Sequence, residues 1–426
     1  MVHDSTPRGG VLRPRQVRGA NRAVVLELLR RQERLSRVEI ARRSGLSEGT
    51  VSRIVAELMR RRLVTEDGAE NSTGGRPATR LQLEQSRVAV GVDIQPWEMR
   101  FSIGTMKGRI LETHRLRTPP SPEQTMDVIA HEFIGYRKRF GTDSVEGLGI
   151  STRGIVNSDT GVVELGNNPQ WVRVPMKEHL QSVLQAPVFV ENNVRAAALA
   201  EYCYGDPELH RSHCLLFVAV DDGAGIGIVL GGKVYHGPRM AAGEFGQMVI
   251  AATNGPERSD RPGCLEKLVA NPAVCERYDA LAGSSVPTPK GEETARVRHI
   301  CQLAMNGDVA ATGALRETCR YLGIGIANVV WGLDADAVIF DGTLTEAWPM
   351  VGPWIADQFP NPELLNFQDL MLRPSALRGE AATIGAATLP FVRLFSTGER
   401  ASVAGAGSRT SSRTASGTAA AVASQV

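Results

Sequence analysis

The 426-residue sequence has no run of 18 apolar residues, so it offers no candidate membrane helix. Its basic beginning, MVHDSTPRGGVLRPRQVRGA, has no apolar stretch of the kind a secretory signal needs, and a cytoplasmic protein is expected. Cysteine is scarce. Cys203, Cys214, Cys264, Cys275, Cys301 and Cys319 show no Cys-x-x-Cys spacing, which argues against a disulfide framework and leaves reduced, mostly buried thiols. The most informative absence is lysine. Residues 1–86 contain none, and hold 17 arginines against 10 Asp and Glu, a net of +7; the whole chain carries +2, so the remainder carries −5. A basic module on a mildly acidic body is the charge pattern of a segment that meets a polyanion. The alternative is a solvated arginine-rich surface, and local patterning decides between them.

In GANRAVVLELLRRQE, residues 19–33, Val24, Val25, Leu28 and Leu29 recur at helical spacing. Ser36 followed by Glu39 is a capping box, so a helix starts there and stops near Gly45. Ser47 can cap a third helix, EGTVSRIVAELMRRR, whose buried stripe is Val51, Ile54, Val55 and Leu58. Two short helices joined by a glycine turn, the second opening on small polar residues, predict a helix-turn-helix. Ser47, Thr50, Ser52 and Arg53 are its expected base-edge and phosphate contacts. Residues 63–65 and 79–83 alternate like the strands of a hairpin, and the tip of their long polar connection, Gly74-Gly75-Arg76-Pro77, places Arg76 to enter a minor groove. A structural three-helix bundle shares the core pattern but accounts for neither the arginine wing nor the +7.

Beyond residue 87 three β-rich runs (88–94, 98–104, 109–115) precede a helix over 123–139 and a buried strand in VEGLGISTRGIV. This order departs from simple Rossmann alternation. The glycines of GAGIGIVLGGKVYHG lead into a strand and a tight turn rather than a helix, which excludes a dinucleotide fingerprint. Helices are expected over 292–306 and 308–332, with a buried strand in AVIFDG. The resulting division is a flexible start (1–18), a winged helix-turn-helix (19–86), a first α/β lobe (87–186), a second lobe (187–375), a helix returning to the first lobe (376–396) and a disordered Ser/Ala/Gly-rich tail (397–426).

VGVDI, GLGISTRGIVN, NNPQW, VENNVRAAALAE, GAGIGIVLGGKVYHG, AGEFG, PGCLE and GEAATIGAA occur in the order of the ROK family (repressors, open reading frames and kinases), which this sequence resembles over about residues 20–396. The resemblance implies a two-lobed α/β body of the actin-like, ribonuclease-H-like class. The family's kinases lack a DNA-binding domain, whereas its regulators carry an N-terminal winged helix-turn-helix, the layout seen here. It also implies a catalytic Asp where this chain has Asn193, and an amide cannot take a proton from a sugar hydroxyl near neutral pH. Asp93-Ile94-Gln95-Pro96-Trp97 replaces the kinases' DxGGT phosphate turn, where Pro removes an N–H and Trp fills space, and Asp341-Gly342 replaces a Gly-Gly pair. Of four family zinc ligands only Cys264 matches, with Gln247, Glu257 and Ser259 at the others, so no zinc or other cofactor is expected. By the same resemblance Asn192, Asn193, Glu244, Gln247 and Glu266 would line a sugar cleft; against this, the asparagines could instead satisfy backbone groups, Glu244 cap a helix, and Glu266 pair with Lys267 or an arginine. Trp171 reads as core. The expected protein is a non-catalytic repressor that binds double-stranded operator DNA as a homodimer or homotetramer and responds to a sugar or sugar phosphate. A sugar kinase with an appended DNA module, and a ligand-independent regulator, are the alternatives.

Overall fold

The computed structural model describes residues 14–32, 34–69, 79–166, 169–251, 263–283, 291–359 and 369–395. Glu257, Ser259, Arg76 and the tail beyond 395 lie outside them.

The N-terminal module is three helices and a hairpin: α1 (Pro14–Arg31), α2 (Arg37–Ser44), α3 (Glu48–Arg60), β1 (Val64–Ala69) and β2 (Thr79–Leu83), the strands antiparallel. The stretch expected to be flexible through residue 18 is helical from Pro14, whose fixed φ suits the first turn of a helix. The capping box forms as the sequence predicts. Glu39 N–H donates to Ser36 Oγ and Ser36 N–H donates to Glu39 Oε2, and Gly45 ends α2 at φ 70°. Val51, Ile54, Val55 and Leu58 of α3 are buried against Val25, Leu26, Leu29 and Ile40.

The body has two five-stranded sheets. The first is built from β3 (Val88–Ile94), β4 (Glu98–Thr105), β5 (Ile110–Arg117), β6 (Val145–Thr152) and, after the small sheet β7 (Ile155–Asn157), β8 (Val162–Leu165) and β9 (Val172–Val174), from β10 (Val188–Asn192), in the order β10-β6-β3-β4-β5. Helices α4 (Pro122–Phe140) and α5 (Met176–Leu184) cover one face, and Trp171 is buried in that lobe's core. Pro187 was expected to open the second lobe. Instead Val188–Asn192 pairs in parallel with Leu148–Thr152, so the first sheet extends through Asn192. An apolar strand does not announce which neighbour it will pair with.

Helix α6 (Asn193–Tyr204) then crosses to the second lobe. That lobe's sheet has β11 (Cys214–Val220), β12 (Ala224–Leu230), β13 (Lys233–Val234), then β14 (Ala337–Asp341) and β15 (Met371–Pro374), in the order β13-β12-β11-β14-β15. Helices α7 (Leu265–Val269), α8 (Asn271–Ala282), α9 (Glu293–Met305), α10 (Val309–Leu333) and α11 (Trp348–Ala356) pack around it. The last helix, α12 (Ala381–Phe395), returns to lie on β3, β4 and β6 and along α6. Two glycines permit these contacts. A β-carbon on Gly149 would sit 1.9 Å from Ala386 O, and one on Gly227 2.5 Å from the Ala198 β-carbon. The glycine-rich strand thus makes room for α6. The outer end of α12 completes the helix-turn-helix core: Phe391 and Leu394, with Ala89 and Met106, are buried among its apolar residues.

Candidate functional site

On the DNA-binding module, the start of α3 is open to solvent. Ser47 is exposed and caps the helix through Thr50 N–H; Ser52 and Arg53 are exposed beside it. Arg53 leans back 3.4 Å from both Gly49 O and Thr50 Oγ1, long contacts that leave the guanidinium available. Most carboxylates of the module staple its own elements: Arg22–Glu57, Arg30–Glu27, Arg34–Asp67, Arg37–Glu66 and Arg80–Glu39. Arg42, Arg53 and Arg60 have no carboxylate partner among the described residues. The net positive charge therefore resides on arginines that include the one at the start of α3.

The second site lies between the lobes, at the start of α6. Asn192 is its cap: Oδ1 accepts from Val194 and Arg195 N–H, and Nδ2 donates to Gly154 O at 2.9 Å. Those bonds use its amide on the backbone. Asn193, the first helical residue, is half-buried, and no hydrogen bond engages its side chain among the described residues. Arg195 is the tie between the lobes. Its guanidinium, 3% exposed, meets Glu191 Oε1 at 2.8 Å and donates to Val156 O at 2.7 Å and Met240 O at 2.9 Å. Glu191 Oε2 also meets His236 Nε2 at 2.7 Å. Burial raises the Glu191 pKa, but the His236 hydrogen bond and the Arg195 charge outweigh it and the carboxylate is held below its ordinary range. The sequence reading missed both Arg195 and Glu191. A charged pair spaced i, i+4 across a strand-to-helix junction was the available signal.

Across the cleft, Glu266 accepts from Ala224 N–H at 3.1 Å; it makes no pair with Lys267. Glu244 precedes the short turn Phe245–Gln247 without capping it. Desolvation raises its pKa, Arg195 opposes that, and the Glu266 charge adds to it. Glu244 and Glu266 thus lie close enough for their charges to act on each other, while Asn192 is structural in its bonding and Gln247, like Glu244, is exposed. Cys264 is buried.

Adjoining this is a cavity of about 930 Å³. Gln95, Pro96, Trp97, Arg117 and Arg153 line it from the first lobe, Asp222 and Glu293 from the second. The Asp93–Trp97 turn has little to offer a phosphate. Pro96 has no N–H, Gln95 N–H donates to Glu98 O, and Thr118 occupies the carbonyls of Gln95 and Trp97. Arg153 Nε donates to Gln95 Oε1 at 2.9 Å, and Gln95 Nε2 donates to the buried Asp93 at 2.8 Å. Arg153 also faces Asp222 at 3.6 Å, an ion pair between lobes.

Helix α6 links this cleft to the DNA-binding module. At its far end Cys203 O accepts from Arg30 of α1, and the Arg30 guanidinium lies 5.4 Å from the centre of the Tyr204 ring and 5.8 Å from that of Phe395.

The profile of the ROK family matches residues 89–391, and that of the IclR helix-turn-helix domain matches residues 22–68. The xylose repressor of Bacillus spizizenii is 28% identical over 382 residues, covering 88% of this chain and 95% of that protein. A glucokinase of Streptomyces coelicolor is 30% identical over 275 residues, covering 62% of this chain and 84% of that protein. The crystal structure of a ROK family transcriptional regulator, a homologue of the Escherichia coli MLC protein, superimposes with a TM-score of 0.76 at 23% identity, over 89% of this chain and 97% of that one, a likeness of fold.

Proposed function

This chain belongs to the ROK family, and from that premise we propose that it is a sugar-responsive, DNA-binding transcriptional repressor and not a sugar kinase. The observation that carries this reading is the shared core. The helix-turn-helix is closed by Phe391 and Leu394 of α12, and its first helix is bonded through Arg30 to the end of α6, whose first turn carries Arg195, bonded to both lobes. A ligand that draws Glu244 and Glu266 toward Asn193 pulls on Arg195, which holds both lobes. That displacement reaches α1 through a helix buried along most of its length. Two copies of the module, related by a two-fold axis in a homodimer or homotetramer, would read a palindromic operator, with Ser47, Thr50, Ser52 and Arg53 toward the major groove and Arg76 toward the minor. An effector that binds one spacing of the modules better than the other shifts DNA affinity by that difference. The family resemblance places an amide, Asn193, at the kinases' base position. The Gln95–Trp97 turn presents few free N–H groups, so phosphoryl transfer has neither base nor phosphate cradle, and the function needs no zinc.

Selection of bound sequences from a random duplex library by the full chain, at physiological salt, tests this. The expected product is a palindrome, released when a cognate sugar is added. Recovery of no preferred sequence, with binding that only falls steeply with salt, sinks the regulator reading. Transfer of phosphate from ATP to any sugar sinks the non-catalytic part.

A further inference from the structure

A single sugar ring leaves most of the interlobe space unexplained. In the reading proposed above, Asn193, Glu244 and Glu266 would hold the first sugar. The lining of the 930 Å³ cavity stands one residue along the chain from two glycines that neighbour Glu266 and Asn192. Asp222 precedes Gly223, where a β-carbon would lie 3.0 Å from Glu266 Oε2, and Arg153 precedes Gly154, whose carbonyl holds Asn192. Its volume is near the upper end of the roughly 300–1,000 Å³ that encloses a ligand of drug size. Its wall carries an exposed aromatic: Trp97 is 60% exposed, on a turn fixed by Thr118. Its indole nitrogen reaches toward the other lobe, 3.5 Å from where a β-carbon on Gly291 would sit. Pro96, Pro119 and Pro120 extend the same apolar wall. Exposed large apolar surface inside a cleft is the kind that marks a binding site.

The charges around this wall select among ligands. Arg117 and Arg153 are matched by Asp222 and Glu293, and Arg153 is already paired with Asp222. A polyphosphate there meets two carboxylates and a turn with few donors. A neutral sugar ring fits better. Its C–H face lies on an indole, and its hydroxyl rim finds guanidinium donors and carboxylate acceptors.

We propose that the cleft takes an effector larger than a monosaccharide, a disaccharide or glycoside whose second unit stacks on Trp97. This rests on the sugar-responsive reading above and narrows it. The test is calorimetric titration of the full chain with matched pairs: xylose and xylobiose, glucose and cellobiose, glucose and maltose, N-acetylglucosamine and chitobiose. One disaccharide should bind at least tenfold more tightly than its monosaccharide. Trp97→Ala should remove that advantage while leaving the monosaccharide within twofold of the unaltered protein, and Trp97→Phe, which keeps an aromatic face, should retain part of it. Because the side chain is exposed, neither variant should impair folding. Equal binding of both members of each pair, or equal losses for both in Trp97→Ala, overturns the proposal and leaves the monosaccharide-responsive repressor standing. Tight binding of a non-hydrolysable ATP analogue in place of the second ring also overturns it. Silence across every sugar of either size removes the effector reading itself, and this inference with it.

Discussion

Two kinds of helix start in this protein look alike in sequence and do opposite work. Helices α2 and α3 open on Ser36 and Ser47, α6 on Asn192; each is a short polar cap. Two of these starts also keep a carboxylate beside the cap, Glu39 for α2 and Glu191 for α6. In the DNA-binding module the start of α3 faces solvent and its polar groups remain available to a partner, whereas at α2 the cap Ser36 is buried. At α6 the start is enclosed by both lobes, and cap, carboxylate and arginine are spent on holding them together. The same local chemistry serves recognition where water can reach it and cohesion where it cannot, because a buried charge must be matched within the protein.

Arg195→Ala tests this contrast most severely. It leaves Glu191 buried without its guanidinium and strips Val156 O and Met240 O of a donor, so the body should lose on the order of 3–5 kcal/mol in urea unfolding. A loss below about 1 kcal/mol would mean that water already enters the tie. Asn192→Ala removes the cap and the bond to Gly154 O, and should cost about 1–3 kcal/mol in the same measurement. Arg53→Ala, at the exposed start, should change stability by no more than ~0.5 kcal/mol. It should instead weaken binding to the selected operator by roughly 1–3 kcal/mol if it reads a base, or lower the salt slope by about one if it meets a phosphate. An unfolding midpoint that shifts as far as the affinity would break the comparison.

The smallest effect concerns Glu39. Hydrogen bonds from Ser36 and Arg80 hold its carboxyl down to about 2, from an ordinary 4.5. A carboxylate depressed on folding contributes stability that is present above its unfolded pKa and lost as pH falls through its folded one. The module's stability should therefore decline between pH 4.5 and about 2, and Glu39→Gln should flatten that decline. Solvent exposure keeps the effect small, and it is read by circular dichroism of the full chain against the variant. An unchanged acid profile in Glu39→Gln would show that the capping box forms without the charge.

Much of the molecule was legible in advance wherever the signal is local. The box at Ser36 and Glu39, the αL stop at Gly45, the stripe of α3 and the strand-turn-strand around Gly231 and Gly232 follow from rules that span four or five residues, and they stand where those rules place them. What no local rule reached depends on partners distant in sequence. Asn192 belongs to a cap and to Gly154, Glu266 to Ala224 N–H, and β10 to the first sheet. The glycines of β12 admit Val194 and Ala198 of α6, a packing set by that distant helix.

By itself, then, the sequence determined the kinds of element, the basic module and the order of motifs along the body, since periodicity, capping and charge act over a few residues and survive in any context. The tertiary structure alone decided which polar groups are spent and which remain for a partner. Satisfaction of a buried hydrogen bond or charge is a property of the assembled neighbourhood: Arg195 is a lobe tie and Trp97 a cavity wall only because chain segments far apart in sequence meet around them.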